Sequence, residues 1–304
     1  MFDMLFLDLK SYKLDYNSLA LKYKRTFLKL GVDVHSSSIY FLSLKSKSIK
    51  INLSEVRNNS VIIFSNCKDL DILETSDFNN FKNRNIIFYF YNSFNVTYVK
   101  DFSSEDLVLR NKVIVERSNI NFTNLFFDSK KLSYFQENLI LSNSQFSEND
   151  VLLLSKEQTN KIEIRNLHLS KKVVSSTTIK NVLKDKSFVK YAGLINILKK
   201  ADFSKAYLET NTMLLSKTAR SINIPMLEIV PKNVVATHAA TVEEVTLDEL
   251  FYLGTRGFSK SKAKKFVVFS FLKANISEYL QILKEYISKR IEGKLWVMTI
   301  YLLK

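Results

Sequence analysis

The sequence predicts a mainly β chain wound as a β-solenoid, with a helical C-terminal end. Three observations predict it. Apolar clusters recur every 10–12 residues from Ile86 to Val242, separated by linkers rich in Asn, Ser, Asp and Lys. Short strands at that interval suit a sandwich, a barrel or a solenoid. Asn-Gly and Asp-Gly pairs are absent and the chain has only 5 glycines, too few for many tight hairpins. A parallel solenoid needs none, because each strand stacks on the previous coil without reversal. Finally, apolar residues alternate up to Thr246 and then recur as Leu247, Leu250 and Phe251, at helical spacing.

Residues 14–30 read as an amphipathic helix stopped by Gly31, followed by short candidate strands at Ser38–Leu44 and Val61–Ser65. The strand series then runs through Ile86–Tyr91, Val96–Val99, Leu107–Val115, Phe122–Phe127, Leu139–Leu141 and Val151–Leu154, and on from Ile162–Leu169 to Val234–Val242. Thr246 and Glu249 have the spacing of a capping box opening a helix over Leu247–Thr255, with Gly257 as its stop. Ser259 is placed to cap a second helix over Lys260–Leu272. Ile276, Leu280, Leu283, Ile287 and Ile291 form the stripe of a third, ended by Gly293, with Leu295–Leu303 as a final strand or docked tail. This divides the chain into an N-terminal α/β region (1–80), a β core (81–245) and a helical domain (246–304).

Composition narrows the function. The net charge of +15 invites a nucleic-acid-binding reading. However, 36 lysines stand against 9 arginines, Asn, Ile and Phe are abundant, and the lysines are scattered apart from Lys260, Lys262, Lys264 and Lys265. That is the profile of an AT-rich coding sequence with a solvated surface. The single cysteine, Cys67, follows an apolar strand and reads as a buried structural thiol; alone it forms no internal disulfide and no four-thiolate metal site. The first residues lack a signal-peptide pattern, and no apolar run spans a bilayer, so a cytoplasmic protein outside the membrane is expected. There is no Gly-x-x-x-x-Gly-Lys loop and no Gly-x-Gly-x-x-Gly, so this chain is expected to bind no ATP. No Ser-His-Asp or Cys-His arrangement stands out, and an enzyme is not expected.

Rare backbone residues cluster near the period switch: Pro225, Pro231, Gly254 and Gly257, with His238 between them. His238 lies in an alternating strand, as a metal-ligand candidate or a histidine satisfied by the backbone. Glu228 alternates with Leu227 and Ile229 and should point away from the core, as a second candidate ligand or a solvated carboxylate; Glu209, Glu243 and Glu244 have the same status. His35 and His168 show no partner pattern. Leu250, Phe251, Tyr252 and Leu253 are four consecutive apolar residues, more than one helix face can bury.

The segment 175–272 resembles the core of the SufB/SufD family of iron–sulfur cluster assembly proteins. The resemblance rests on Ser176–Asp185, Phe188–Ile195 with Gly193, Ala206–Ser216, Ile224-Pro-Met-Leu-Glu-Ile229, Thr237-His-Ala-Ala-Thr-Val242 and Leu250-Phe-Tyr-Leu-x-x-Arg-Gly257. It implies a right-handed parallel β-helix with helical ends, and a non-catalytic scaffold subunit. Such a subunit pairs with a second SufB/SufD-type subunit through the β-helices near the His238 strand. Its C-terminal helices dock onto SufC, a separate ABC ATPase whose ATP-driven dimerisation remodels that interface. The resemblance thus puts Leu250, Phe251, Tyr252, Arg256, Gly257 and Phe258 at the ATPase contact. It puts His238 and Glu228 at a dimer interface where iron or a transient iron–sulfur cluster is held. Two departures stand out: Lys217–Ile222 lacks the cysteine common in SufB, and Ala239 follows His238 where SufB often carries a Glu. The pattern is closer to SufD, or to a minimal SufB-type chain. The competing readings are a carbohydrate-active β-helix enzyme and a basic nucleic-acid-binding protein.

Overall fold

The computed structural model describes residues 4–30, 32, 37–274 and 281–300. The chain opens with β1 (Leu5–Phe6), a 3-10 turn at Leu9–Tyr12, β2 (Lys13–Leu14), a second 3-10 turn at Tyr16–Ser18 and α1 (Leu21–Lys29). Then follow β3 (Ile39–Leu42), β4 (Lys45–Ile51), β5 (Ser60–Ser65), β6 (Lys68–Asp77), β7 (Asn83–Tyr91), β8 (Phe94–Glu116) and β9 (Asn119–Ile140). The core continues through β10 (Gln145–Leu154), β11 (Thr159–His168), β12 (Val174–Leu183), β13 (Phe188–Ile197), β14 (Lys205–Leu214), β15 (Arg220–Ile229) and β16 (Val235–Glu244). Three helices end it: α2 (Leu247–Thr255), α3 (Lys260–Lys273) and α4 (Gln281–Ile300).

The strands form a β-solenoid of about 7 turns. Each coil gives one strand to each of two stacks. The first stack runs β1, β4, β6, the first half of β8, the first half of β9, β10, β12, β14 and β16. The second runs β3, β5, β7, the later halves of β8 and β9, β11, β13 and β15. Every pairing among the described residues is parallel except β2 with β3. Consecutive parallel pairing rules out the sandwich and the up-and-down barrel. The parallel ladder already runs through β3–β6, before residue 81, so the region expected to be α/β contributes coils as well as α1.

The few glycines are explained at the corners. Asn59, Asn66, Asp69, Asn92, Asn95, Asn143 and Asp185 take positive φ there, as do Ser46, Arg117, Lys156, Lys172 and Phe203. Asn and Asp tolerate this conformation because their short polar side chains bond locally. Beside one corner runs a serine ladder: Ser93 N–H donates to Ser118 Oγ (2.9 Å) and Ser118 N–H to Ser144 Oγ (3.4 Å). Cys67 stands at the head of this column, buried, its N–H donating to Ser93 Oγ at 3.2 Å. Burial pushes its thiol pKa up, which suits an inert structural thiol.

Inside, like side chains stack on like along the ladder. Tyr98 and Phe122 are register partners with rings 4.8 Å apart, as are Phe64 and Phe90 at 4.9 Å. The outer faces are covered by helices. Leu19, Tyr23 and Phe27, in and just before α1, pack on Ile39, Val61, Ile63, Tyr89 and Ile114 of the second stack. Val268 and Leu272 of α3 and Leu283, Ile287, Ile291 and Leu295 of α4 pack on Val99, Leu125, Leu153, Val182 and Met213 of the first. Arg290 clasps α4 to the solenoid through Asp101 and Asp128, Lys294 adds a 2.8 Å bond to Asp128, and the Tyr286 hydroxyl donates to Asp101.

Three helical expectations need correction. α1 starts at Leu21, not residue 14, because 3-10 turns and β2 take the preceding residues; its expected stop, Gly31, lies outside the described residues, as do Ile276 and Leu280. Gly293 does not end α4. It is an exposed helix-interior glycine costing about 1 kcal/mol against alanine, outweighed by the burial of Ile287, Ile291 and Leu295 on either side. Residues 295–300 are therefore helix rather than strand or tail, and 301–304 lie outside the described residues.

The interior also holds a polar network that alternation did not reveal. Glu148 accepts from Gln136 and from Asn138 (2.8 Å) and Asn124 (3.1 Å), while Asn124 also donates to Asp150 at 2.8 Å. Tyr134 bonds Asn111, Asn124 and Gln136, and Asn138 passes the chain to Asn166 and Thr177. Burial raises both carboxyl pKa values, Asp150 to about 7 and Glu148 well above its usual range, the Asp150 charge adding to the rise at Glu148. The folded chain thus holds protons that the unfolded chain releases. Their contribution to stability is complete below the ordinary carboxylate pKa and is lost as pH rises toward about 7 and beyond. Buried His168, lowered to about 4, acts oppositely: its contribution is present above the ordinary imidazole pKa and lost as pH falls toward 4.

Two outcomes follow. Asp150→Asn should gain thermal stability relative to the parent as pH rises from about 5 to 8, since His168 contributes equally to both; parallel pH profiles would contradict the assignment. Arg290→Ala should leave Asp101 without its main partner, cost about 1–3 kcal/mol and speed proteolysis within α4 under native conditions.

Candidate functional site

The solenoid's two ends differ. At the N-terminal end, β1 pairs with β4 and β2 with β3. At the C-terminal end, among the described residues, β15 pairs only with β13 and β16 only with β14, leaving two strand edges free. Nearly every residue of these strands is exposed, including Ile222, Ile224, Met226, Leu227, Ile229, Val235 and Val242. The last core cluster, Ile195, Ile197, Ala201, Ala206 and Leu208, gains only Val234 and Ala236 as further cover.

His238 sits on this terminal coil. Its register partner Leu208 is buried, and alternation turns Ala236, His238 and Ala240 to the same interior side. One coil below, an added Cβ on Gly193 would lie 2.5 Å from Leu208 Cδ1, so Gly193 is the space that lets Leu208 cross to the opposite stack. The same step up the ladder puts Pro225 over Gly193 and His238 over Leu208. His238 thus looks into the open mouth of the solenoid. A polar path also reaches that mouth: Asn181 and Asn223 donate to Thr212 Oγ1 (3.1 and 3.2 Å), and Ser221 donates to Asn223 Oδ1 (3.1 Å).

Glu228 belongs to the other stack and the outer side, where Asn196 Nδ2 donates to it at 2.5 Å. Within one chain the structure does not bring His238 and Glu228 together. Glu209 accepts from Asn211 at 2.8 Å on the outside of β14, and Glu243 and Glu244 are exposed. Among the described residues no group of three or more His, Cys, Asp and Glu side chains is placed to hold a metal ion. His238 thus offers an imidazole at the open end. His168, which carried no expectation, is buried and held by Ser175 Oγ at 2.7 Å, a structural histidine whose polar partner lies seven residues on, in β12. Cys67 is several coils away.

The second surface is α2. Thr246 and Glu249 form the expected capping box, with Glu249 N–H to Thr246 Oγ1 at 3.2 Å and Thr246 N–H to Glu249 Oε2 at 2.9 Å. Gly257, at φ +87°, closes the helix where a side chain would be strained. Leu250 and Leu253 are half-buried on the protein side. Leu247, Phe251 and Tyr252 are 78%, 74% and 59% exposed, a stripe too apolar for a solvated face. Leu247 was missed as a site residue, although its i, i+4 spacing to Phe251 carries the signal. The Arg256 guanidinium stacks 5.3 Å from the Tyr252 ring, and Phe258 packs on Phe266 at 5.6 Å. Lys260 and Lys262, in the first turn of α3, are exposed.

Residues 53–271 match the SUF system FeS cluster assembly, SufBD core domain. The iron–sulfur cluster assembly protein SufD of Bacillus subtilis is 36% identical over 75 residues, 25% of this chain and 17% of that protein. SufB of the same organism is 32% identical over 69 residues (23% and 15%), and SufD of Escherichia coli 31% over 90 residues (29% and 21%). The matched stretch spans less than a quarter of each of these relatives. No helix among the described residues is long and apolar enough to cross a membrane. With a solenoid core and a family match over most of its length, this chain belongs to the SufB/SufD family of iron–sulfur cluster assembly proteins.

Proposed function

We propose that the chain is a non-catalytic, cytoplasmic scaffold subunit of a Suf-type assembly complex, working with a separate SufC-like ABC ATPase that binds α2. The observation carrying this reading is the exposed stripe Leu247, Phe251, Tyr252 on a well-capped helix. A capped helix with an unburied apolar face fits the groove-type recognition of a partner. Arg256, Gly257 and Phe258 fix the turn behind it, and Lys260 and Lys262 suit an acidic rim. The open end of the solenoid is the surface for a second SufB/SufD-type subunit, as its free edges and unfinished core require. ATP-driven closure of two ATPase subunits would then act on that junction.

Iron or a nascent cluster is cargo at this junction. His238 is its one side chain suited to soft or borderline metal, and the partner subunit completes the set. With no cysteine in Lys217–Ile222 and Ala239 beside His238, the chain contributes fewer ligands than the SufB pattern, which favours a SufD-like role or a minimal SufB-type one.

Co-expression with a SufC-type ATPase should give a complex that survives gel filtration. Leu247→Glu combined with Phe251→Glu should abolish co-purification while leaving the far-ultraviolet spectrum intact; an unchanged yield of complex would overturn the docking assignment. In anaerobic reconstitution with iron and sulfide, His238→Ala should lose most of the visible absorbance of the parent protein.

A further inference from the structure

We propose that the uncovered outer face of the second stack carries a binding site for a small phosphate monoester, held by Lys161, Lys190 and Arg110 beside the Phe135 ring. The site shares no residue with the α2 stripe or the terminal coil, and it does not rest on the Suf reading.

The later halves of β8 and β9, with β11 and β13, present this face. α1 covers only its far edge, at Ile114 and Leu139, and α3 and α4 lie on the other stack. Alternation along these strands turns Arg110, Phe135, Lys161 and Lys190 outward. The carboxylates of the face are already matched: Asp106 with Lys131 at 3.5 Å, Glu137 with Lys112 at 2.9 Å, and Glu163 with Arg165 at 2.7 Å. Arg110, Lys161 and Lys190 are left without a carboxylate partner among the described residues. Lys161 and Lys190 are also register partners on adjacent parallel strands, with main chains about 4.8 Å apart. Like charges so opposed disfavour the pairing. An anion seated between them turns that repulsion into attraction, and a dianion offsets both.

The three cations line one hollow of about 320 Å3. Its depth comes from Ala192, which stands in the same outward row as the larger Phe188 and Leu194. Val108, Phe135 and Ala192 supply apolar wall, and Ser133 adds a hydroxyl donor. Glu163 lines the hollow too, but its charge is offset by Arg165, whose guanidinium stands 5.2 Å from the Phe135 ring. A phosphate dianion on a flat apolar body fits this set: the lysines hold the phosphate as point charges, and the body lies against Phe135. A nucleic-acid strand needs a run of unpaired cations for successive phosphates. Here Lys112, Lys131 and Arg165 are all paired, so the face offers one site and no track.

The test is calorimetric titration of the full chain with phenyl phosphate, inorganic phosphate and phenol. Phenyl phosphate should bind saturably at one site and more tightly than inorganic phosphate, and phenol should not bind. Lys161→Gln combined with Lys190→Gln should weaken phenyl phosphate by about tenfold or more, whereas Lys130→Gln, exposed and away from the hollow, should change nothing. Ala192→Leu should fill the hollow and bring phenyl phosphate down to the affinity of inorganic phosphate. In thermal melts, Lys190→Gln alone should stabilise the ligand-free chain, and phenyl phosphate should stabilise the parent but not the double variant. A double variant with an intact far-ultraviolet spectrum that binds like the parent would overturn the site, as would indifference to Ala192→Leu. A single-stranded oligonucleotide that binds more tightly than phenyl phosphate, and is lost in the same double variant, would overturn the small ligand in favour of a polyanion.

Discussion

A parallel solenoid cannot close on itself, and most of this molecule's organisation depends on that. Each coil satisfies its main-chain groups on the coils above and below, so the first and last coils are left with half their bonding unmet. At the N-terminal end the last strands are short: β1 and β2, two residues each, cover part of the edges of β4 and β3, and α1 lies over the outer face of the second stack nearby. The C-terminal end is broader. Two ten-residue strands, β15 and β16, present free edges and a row of exposed Ile, Met and Val side chains to water. Exposed strand edges of that length are an aggregation liability in a monomer.

The C-terminal helices are attached to the solenoid in two different ways. β16 ends at Glu244, α2 begins at Leu247, and between them Val245 is anchored in the cluster under α3 and α4. A force on α2 therefore reaches β16 through two residues, while α4 stays clasped to the middle of the solenoid by Arg290 and Asp101. The rigid clasp and the short link divide the C-terminal domain into a fixed half and an exposed half. The exposed half carries the apolar stripe.

Much of this was legible in the sequence because solenoid strands keep a period of two and sit at regular intervals. Ile162–Leu169 and Phe188–Leu198 were read within a few residues of β11 and β13. The capping box at Thr246 and the stop at Gly257 were legible because each depends on one local residue pair or one φ angle. Other features depend on distant partners. The long strands β8 and β9 bend through a corner without breaking, so two expected strands became one. Helix α4 passes Gly293 because burial on the solenoid outweighs local propensity. Alternation turns His238 toward the mouth and Glu228 outward, but that their strands belong to different stacks no spacing rule shows.

The buried polar network was the least legible feature, and it bears on how one register is chosen. An apolar interior of Ile, Val and Phe tolerates a coil sliding by two residues, since the same kinds of side chain still meet. Asn138 donating to Glu148 and Asn166, and Asn166 to Thr177, do not tolerate it. A two-residue slip would strand buried amides and carboxyls without partners, at about 1–3 kcal/mol each. Coil lengths are irregular here, 23 residues from Ile49 to Ile72 but 31 from Thr177 to Leu208 along the ladder, so loop length cannot set the register. The amide network lies where the coils begin to lengthen, between β9 and β12, and it ties strands of both stacks together. By holding that middle in register it also fixes where the last coil stops, and so which side chains β15 and β16 offer at the open end.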